Sequence, residues 1–200
     1  MPSCHNLGMS NLRVLVADDD PIIRLDLKQM LTNLGYDVVA EAGDGQEAVD
    51  LAKSFRPDIC VLDIKMPIKD GIAAVQEIVG AEIAPAILLT AYSDRELIDR
   101  AKEAGAFAYL VKPFKPNDLP PAIELAVSRY EQNRDLCNQV ADLTERLDTR
   151  KIVERAKGVL IEKQGCSEAE AYRRIQQSSM NARKSMREVA EAILLAQSVE

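Results

Sequence analysis

Residues 14–24 read VLVADDDPIIR, an apolar run that ends in three successive aspartates, Asp18, Asp19 and Asp20, before a proline and a second apolar pair. A short apolar run closed by a turn signal reads as a buried strand, and Pro21 suits the first turn of a helix, where its missing N–H costs nothing. Three adjacent carboxylates raise one another's pKa, so their placement needs a reason. One reading is plain: acids at a strand end are solvated turn residues, and one of them caps the next helix. The other is that they are gathered around something positively charged.

Working outward, the same alternation repeats. Apolar runs LRVLVA (12–17), YDVVAE (36–41), DICVLD (58–63), AILLT (86–90) and FAYLV (107–111) are separated by helical patterns at 21–35, 44–55, 71–80 and 94–105. Strand–helix alternation predicts an α/β fold, a doubly wound five-stranded parallel sheet of flavodoxin-like type, over Leu12 to about Val127. Gly35 and Gly105 stand where helices should end.

After Pro120 and Pro121 no strand-like run follows, and the rest reads as all α. Leu136, Val140, Leu143 and Leu147, with Asn133 upstream, have the spacing of a coiled-coil seam. A stripe packed on its own domain fits that spacing equally. Further helices are expected at about 149–164, ending at Gly165, at 168–179, and at 185–197. Ser167 and Glu170 form a capping-box pattern at the start of the second. The expected division is a disordered tail at 1–10, an α/β domain at 11–125, a helical linker at 126–147 and a three-helix bundle at 148–200.

Composition fits this division. The 200 residues are 47% apolar, and the net charge of −7 is unevenly spread. Residues 148–200 carry 10 Lys and Arg against 8 Asp and Glu, leaving 15 against 24 in residues 1–147. The acidic whole argues against indiscriminate nucleic-acid binding, while a mildly basic end can hold a phosphate backbone locally. No apolar run is long enough to span a bilayer and the first residues lack a signal-peptide pattern, so a cytoplasmic protein with no membrane partner is expected. Cys4, Cys60, Cys137 and Cys166 are far apart and His5 is the single histidine, a pattern that suggests neither a disulfide framework nor a zinc site.

In a parallel α/β sheet, ligands bind beyond the carboxyl ends of the strands. The aspartates at 18–20 lie at one such end and Asp63 at another; if those strands are neighbours, three carboxylates converge. A hard divalent cation with oxygen ligands, Mg²⁺ first, would relieve their repulsion. Thr90 and Lys112 close two further strands and add a hydroxyl and a point cation, with Pro113 following as a candidate cis proline. Such a set can stabilise a phosphoryl group on an acidic oxygen.

The stretches VADDDPIIR, LDIKMPIKDG, LLTAYS and YLVKPF, in this order over roughly 12–125, resemble the receiver domain of bacterial two-component response regulators. The resemblance implies that Asp63 accepts a phosphoryl group from a sensor histidine kinase. It implies Mg²⁺ held directly by Asp19 and Asp63, through water by Asp18, and by the backbone carbonyl of Lys65. Asp20 falls at a variable position and is left as the helix cap. Thr90 and Tyr109 become a switch pair beside Lys112, although Tyr109 also reads as a plain half-buried aromatic. The only chemistry implied is self-catalysed phosphotransfer and hydrolysis, so the chain is a regulator and not an enzyme on a diffusible substrate.

The segment TRKIVERAKGVLIEKQGCSEAEAYRRIQQSSMNARKSMREVAEAIL resembles the ANTAR domain, a three-helix RNA-binding module that prevents transcription termination. Ser178 and Ser179 depart from the expected pattern, which has a small apolar residue there. The resemblance places the RNA face on Arg150, Lys157, Arg173, Arg174, Arg183, Lys184 and Arg187, each of which also reads as a solvated charge. Together the halves imply an antiterminator that binds RNA stem-loops and pairs as a phosphorylation-dependent homodimer. A DNA-binding helical output and a phospho-switched protein-interaction adaptor remain as alternatives. Against DNA, the turn SEAEAY places acids where a recognition helix should present base-reading side chains.

Overall fold

The structure is a computed structural model that describes residues 12–91, 100 and 104–197. The tail expected at 1–10 and most of the helix expected at 94–105 lie outside the described residues. Strands β1 (Arg13–Ala17), β2 (Asp37–Ala42), β3 (Ile59–Asp63), β4 (Ala86–Ala91) and β5 (Ala108–Lys112) form one sheet in the order β2-β1-β3-β4-β5, every pair parallel. Around it stand α1 (Pro21–Asn33), α2 (Gly45–Phe55) and α3 (Gly71–Gly80), followed by α4 (Leu119–Gln164), α5 (Glu168–Ala182) and α6 (Met186–Gln197). The chain divides into two compact units after Asn133.

The first unit is built by strand alternation. Leu15, Ala17, Cys60, Leu62 and Leu88 face one side, where Ala48, Val49 and Ala52 of α2 and Ala74, Val75 and Ile78 of α3 cover them. Val14, Val16, Ile59, Val61, Ile87 and Leu89 face the other, under Leu27 and Leu31 of α1 and Leu119, Ile123 and Ala126 of α4. Burial on both faces explains why these strands read as continuous apolar runs. Aspartates start three of the helices: Asp20, Asp44 and Asp70 accept backbone N–H groups of α1, α2 and α3. Gly35 and Gly105 adopt positive φ of 91° and 87°, the left-handed stop that the sequence suggested.

Gly71 opens α3 against the backbone of β3. A methyl there would overlap the carbonyl oxygen of Asp63 and lie 2.9 Å from its carbonyl carbon. The absence of a side chain thus sets how closely α3 approaches the end of β3.

The second unit packs α5, α6 and the later turns of α4 around Val153, Ala156, Ile175 and Ala190. Ser167 and Glu170 form the expected capping box at α5, and Gly165 takes a φ of 63°. One expectation is corrected: no break separates helices at 122–147 and 149–164, because α4 continues unbroken to Gln164. Neither Gly nor Pro intervenes near residue 148 to stop it. Pairs one turn apart, Arg146 with Asp142 and Lys151 with Asp148, bind along its surface there.

Candidate functional site

The parallel register of β1 and β3 runs from Val14 opposite Ile59 to Ala17 opposite Leu62. The next residues, Asp18 and Asp63, therefore leave two adjacent strand ends together. Lys112, the last residue of β5, reaches both: its Nζ lies 2.7 Å from Asp18 Oδ2 and 2.5 Å from Asp63 Oδ1. The remaining oxygens are held by backbone, Asp18 Oδ1 by the Asp20 N–H at 3.0 Å and Asp63 Oδ2 by the Lys65 N–H at 2.8 Å. Each carboxylate oxygen of the pair thus has a donor. The peptide bond from Lys112 to Pro113 is cis.

These groups sit in a partly dry place, with Asp18 fully buried and Asp63 nearly so. Burial pushes the Asp63 carboxyl above its ordinary pKa; the Lys112 ammonium opposes this, and the charge of Asp18 adds to it. Burial pulls the Lys112 ammonium down, but its hydrogen bonds to Asp18 and Asp63 outweigh this and leave it above the ordinary lysine value. Lys112 is therefore a fixed positive charge at neutral pH.

The three opening aspartates separate into different tasks. Asp18 lies in the pocket. Asp20 is exposed and caps α1, its Oδ1 accepting from the N–H groups of Ile22 at 2.8 Å and Ile23 at 3.4 Å. Asp19 is exposed in the turn between them. The expected convergence of three carboxylates is thus a buried pair with an open neighbour, and among the described residues no group of three or more His, Cys, Asp and Glu forms a cage. The pair still fits Mg²⁺, a hard ion held by one or two carboxylates and otherwise by water and phosphate oxygens. Asp18 and Asp63 already share one cation between them, which shows the charge demand that such an ion would meet.

Thr90 is buried at the end of β4, with its hydroxyl donating to the Ala91 carbonyl at 3.2 Å. Tyr109, on β5, is 47% exposed. The sequence reading missed Arg24, which donates to the Asp18 carbonyl at 2.5 Å. Its position one turn beyond the helix cap at Asp20 was the available signal. It also missed the close approach at Gly71, signalled by the Asp-Gly pair at a helix start.

In the second unit Arg150, Arg173, Arg174, Arg183 and Lys184 are exposed. Arg174 binds the Gln164 side chain, Arg187 pairs with Glu191 at 2.9 Å, and Arg183 ends α5 with a φ of 52°. Lys157 differs from the open charge that its place in the set implied. It is 6% exposed and its Nζ lies 2.8 Å from Glu154 and 2.7 Å from Glu168, which bring its pKa above the ordinary value. Its neighbours on the bundle side of α4, Val153 and Ala156, are buried, so its stem enters the bundle and its head is neutralised there. Tyr172 is half exposed in a cavity of about 500 Å³ shared with Arg150, Val153 and Met186. On α4, Leu136, Val140, Leu143 and Leu147 form an apolar stripe, each 58–61% exposed, and Asn133 is exposed as well.

Among the described residues no helix is long and apolar enough to cross a membrane. The family model of the response regulator receiver domain matches residues 14–124, and that of the ANTAR domain matches residues 141–194. The transcriptional regulatory protein PdtaR of Mycobacterium tuberculosis (strain CDC 1551 / Oshkosh) is 54% identical over 182 residues, spanning 91% of this chain and 89% of that one. Among solved structures, the Francisella response regulator 1452 receiver domain is 33% identical with a TM-score of 0.54, covering 60% of this chain and 98% of that one. The CheX-CheY-BeF3-Mg²⁺ complex from Borrelia burgdorferi is 30% identical with a TM-score of 0.53, covering 56% and 86%. With a receiver pocket at the ends of its strands and an ANTAR bundle after them, the chain belongs to the response regulators whose output domain is ANTAR.

Proposed function

We propose that the chain is a cytoplasmic, phosphorylation-controlled regulator whose ANTAR unit binds RNA stem-loops and prevents transcription termination. The observation that carries the phosphorylation half is the Lys112 ammonium held between Asp18 and Asp63. In this reading an Asp63 oxygen attacks the phosphorus of a phosphohistidine on a sensor histidine kinase. The P–N bond breaks, an acyl phosphate forms on Asp63, and the imidazole leaves. Lys112 neutralises the negative charge on the transferred group. Asp19, Asp63 and the Lys65 carbonyl would hold Mg²⁺, with Asp18 acting through water; the ion supplies charge neutralisation for the phosphoryl oxygens.

Thr90 and Tyr109 form the switch. The Thr90 hydroxyl, now spent on the adjacent carbonyl, turns to the phosphoryl group, and the exposed ring of Tyr109 moves inward. For output, the stripe from Leu136 to Leu147 pairs with a second copy of the chain. Its 3-4 spacing and the polar Asn133 on the same seam support a parallel, in-register dimer. Two linked bundles raise effective concentration for RNA, which compensates for few phosphate contacts. Arg150, Arg173, Arg174, Arg183, Lys184 and Arg187 form the RNA face, with Lys157 bracing the bundle beneath it.

Gel shifts with an RNA hairpin and a matched DNA duplex, with and without a small-molecule phosphoryl donor and Mg²⁺, test the whole reading. Phosphorylation is expected to strengthen hairpin binding, and Asp63→Asn to abolish both the added mass and the strengthening. Preference for the duplex, or a phosphoryl group mapped elsewhere, would overturn it.

A further inference from the structure

The ANTAR unit contains a cleft of about 380 Å³, within the roughly 300–1,000 Å³ range of small-ligand pockets. Leu160 and Ile193 give it an apolar floor, and no carboxylate lines it. Its wall is α5, whose Arg174, Gln177, Ser178 and Asn181 follow at spacings of three, one and three and so share one helix face. Arg174 already binds Gln164. The side chains of Gln177, Ser178 and Asn181, by contrast, make no hydrogen bond among the described residues. The adjacent Ser179 is committed: its hydroxyl donates to the Lys184 carbonyl at 2.6 Å. The two serines that depart from the expected ANTAR pattern thus have different roles, one stitching the end of α5 and one facing the cleft.

We propose that this cleft receives one unpaired base of an RNA hairpin loop, and that Gln177 and Asn181 read its edge. The inference rests on the RNA-binding reading above and adds to it the residues that select sequence, which the basic surface alone does not provide. Loop bases are unstacked and offer both a flat face and their hydrogen-bonding edges. The apolar floor suits the face. A side-chain amide presents a donor and an acceptor together, the complement of the adenine edge. Free anions are poorly served, because the cleft's one cation, Arg174, is already engaged. The free basic residues lie to either side: Arg173 lies on α5 before the amides, and Arg183 and Lys184 follow them. A backbone held at both ends passes its bases over the uncharged middle, roughly 12 Å of helix from Arg174 to Ala182.

The test uses the full chain with phosphoryl donor and a pool of RNA hairpins with one fixed stem and a fully randomised loop, sequencing the bound fraction. Wild type is expected to enrich one base, adenine, at one loop position. Gln177→Ala and Asn181→Ala are each expected to lower that discrimination roughly tenfold. The slope of affinity against salt is retained, since no phosphate contact is removed. Gln177→Glu, isosteric but unable to donate, is expected to lose the preference as well, and far-ultraviolet circular dichroism confirms that each variant keeps its helices. If all three variants keep the loop preference, the cleft assignment is overturned while RNA binding stands. If wild type binds no hairpin above a DNA duplex, the RNA reading and the cleft assignment fail together.

Discussion

Replacing Gly71 by alanine sets two effects of opposite sign against each other. Gly71 is the first residue of α3, and alanine is the better helix former by up to about 1 kcal/mol, so propensity alone predicts a more stable protein. The geometry predicts the reverse. The added methyl would overlap the Asp63 carbonyl oxygen and lie 2.9 Å from its carbon and 3.1 Å from Ile64 Cα, against a comfortable separation of roughly 3.5–4.0 Å. All three atoms are backbone, so no side chain can rotate away. Relief requires α3 to move off the end of β3, at an overpacking cost of about 1–3 kcal/mol. The Gly71 N–H bond to the Ile64 carbonyl, 2.9 Å long, is stretched in the process, which adds about 1 kcal/mol. The net expectation is a loss of about 2–3 kcal/mol. Among the described residues strands occur only in the first unit, so urea unfolding followed through strand amide exchange isolates it. With an m-value of about 2 kcal/mol/M, the midpoint should fall by about 1–1.5 M. Because the Asp63 backbone is displaced, phosphorylation should slow in parallel. A midpoint equal to or above wild type, with normal phosphorylation, would refute the close-approach argument.

Other expectations follow from single contacts. Glu77 is held down to about 2 from the ordinary 4.5 by Lys53 and then by Lys69, at 2.7 and 2.6 Å. With a depressed native pKa, its contribution is fully present above about pH 4.5 and is lost as pH falls toward 2. Urea midpoints of wild type and Glu77→Gln should therefore differ at pH 6 and converge near pH 2. Cys60 is wholly buried, which pushes its thiol up to about 12, whereas Cys137 is exposed. Iodoacetamide should label Cys137 in the native protein and reach Cys60 only after denaturation, as read by peptide mass mapping. Gly158 lies inside α4 with nothing within 4 Å of a would-be Cβ, so Gly158→Ala should stabilise the ANTAR unit by about 0.5–1 kcal/mol in helical circular dichroism.

The fold was legible where the signal was local. Strand runs end within a residue or two of where they were read, and the stops at Gly35, Gly105 and Gly165 all adopt the left-handed backbone that glycine permits. Asp18, Asp63 and Lys112 were legible as strand-end groups, because topology places strand ends at one edge of a parallel sheet. What the sequence hid was non-local. That Lys157 is buried between Glu154 and Glu168 depends on α5 folding back beside α4, and no spacing rule announces it. The exposure of Asp19 depends on how the chain turns after β1. The expected break near residue 148 is absent from α4, and no helix-stopping residue stands there to make one.

The pairing of β1 with β3 carries a last consequence. The same alignment that lays Val14 beside Ile59 and Ala17 beside Leu62 delivers Asp18 and Asp63 to Lys112. A slip by one residue would move the valines into the packing of the opposite face and separate the two acids in a single step. Correct assembly of the sheet and competence of the pocket are thus one event, because a single alignment decides both.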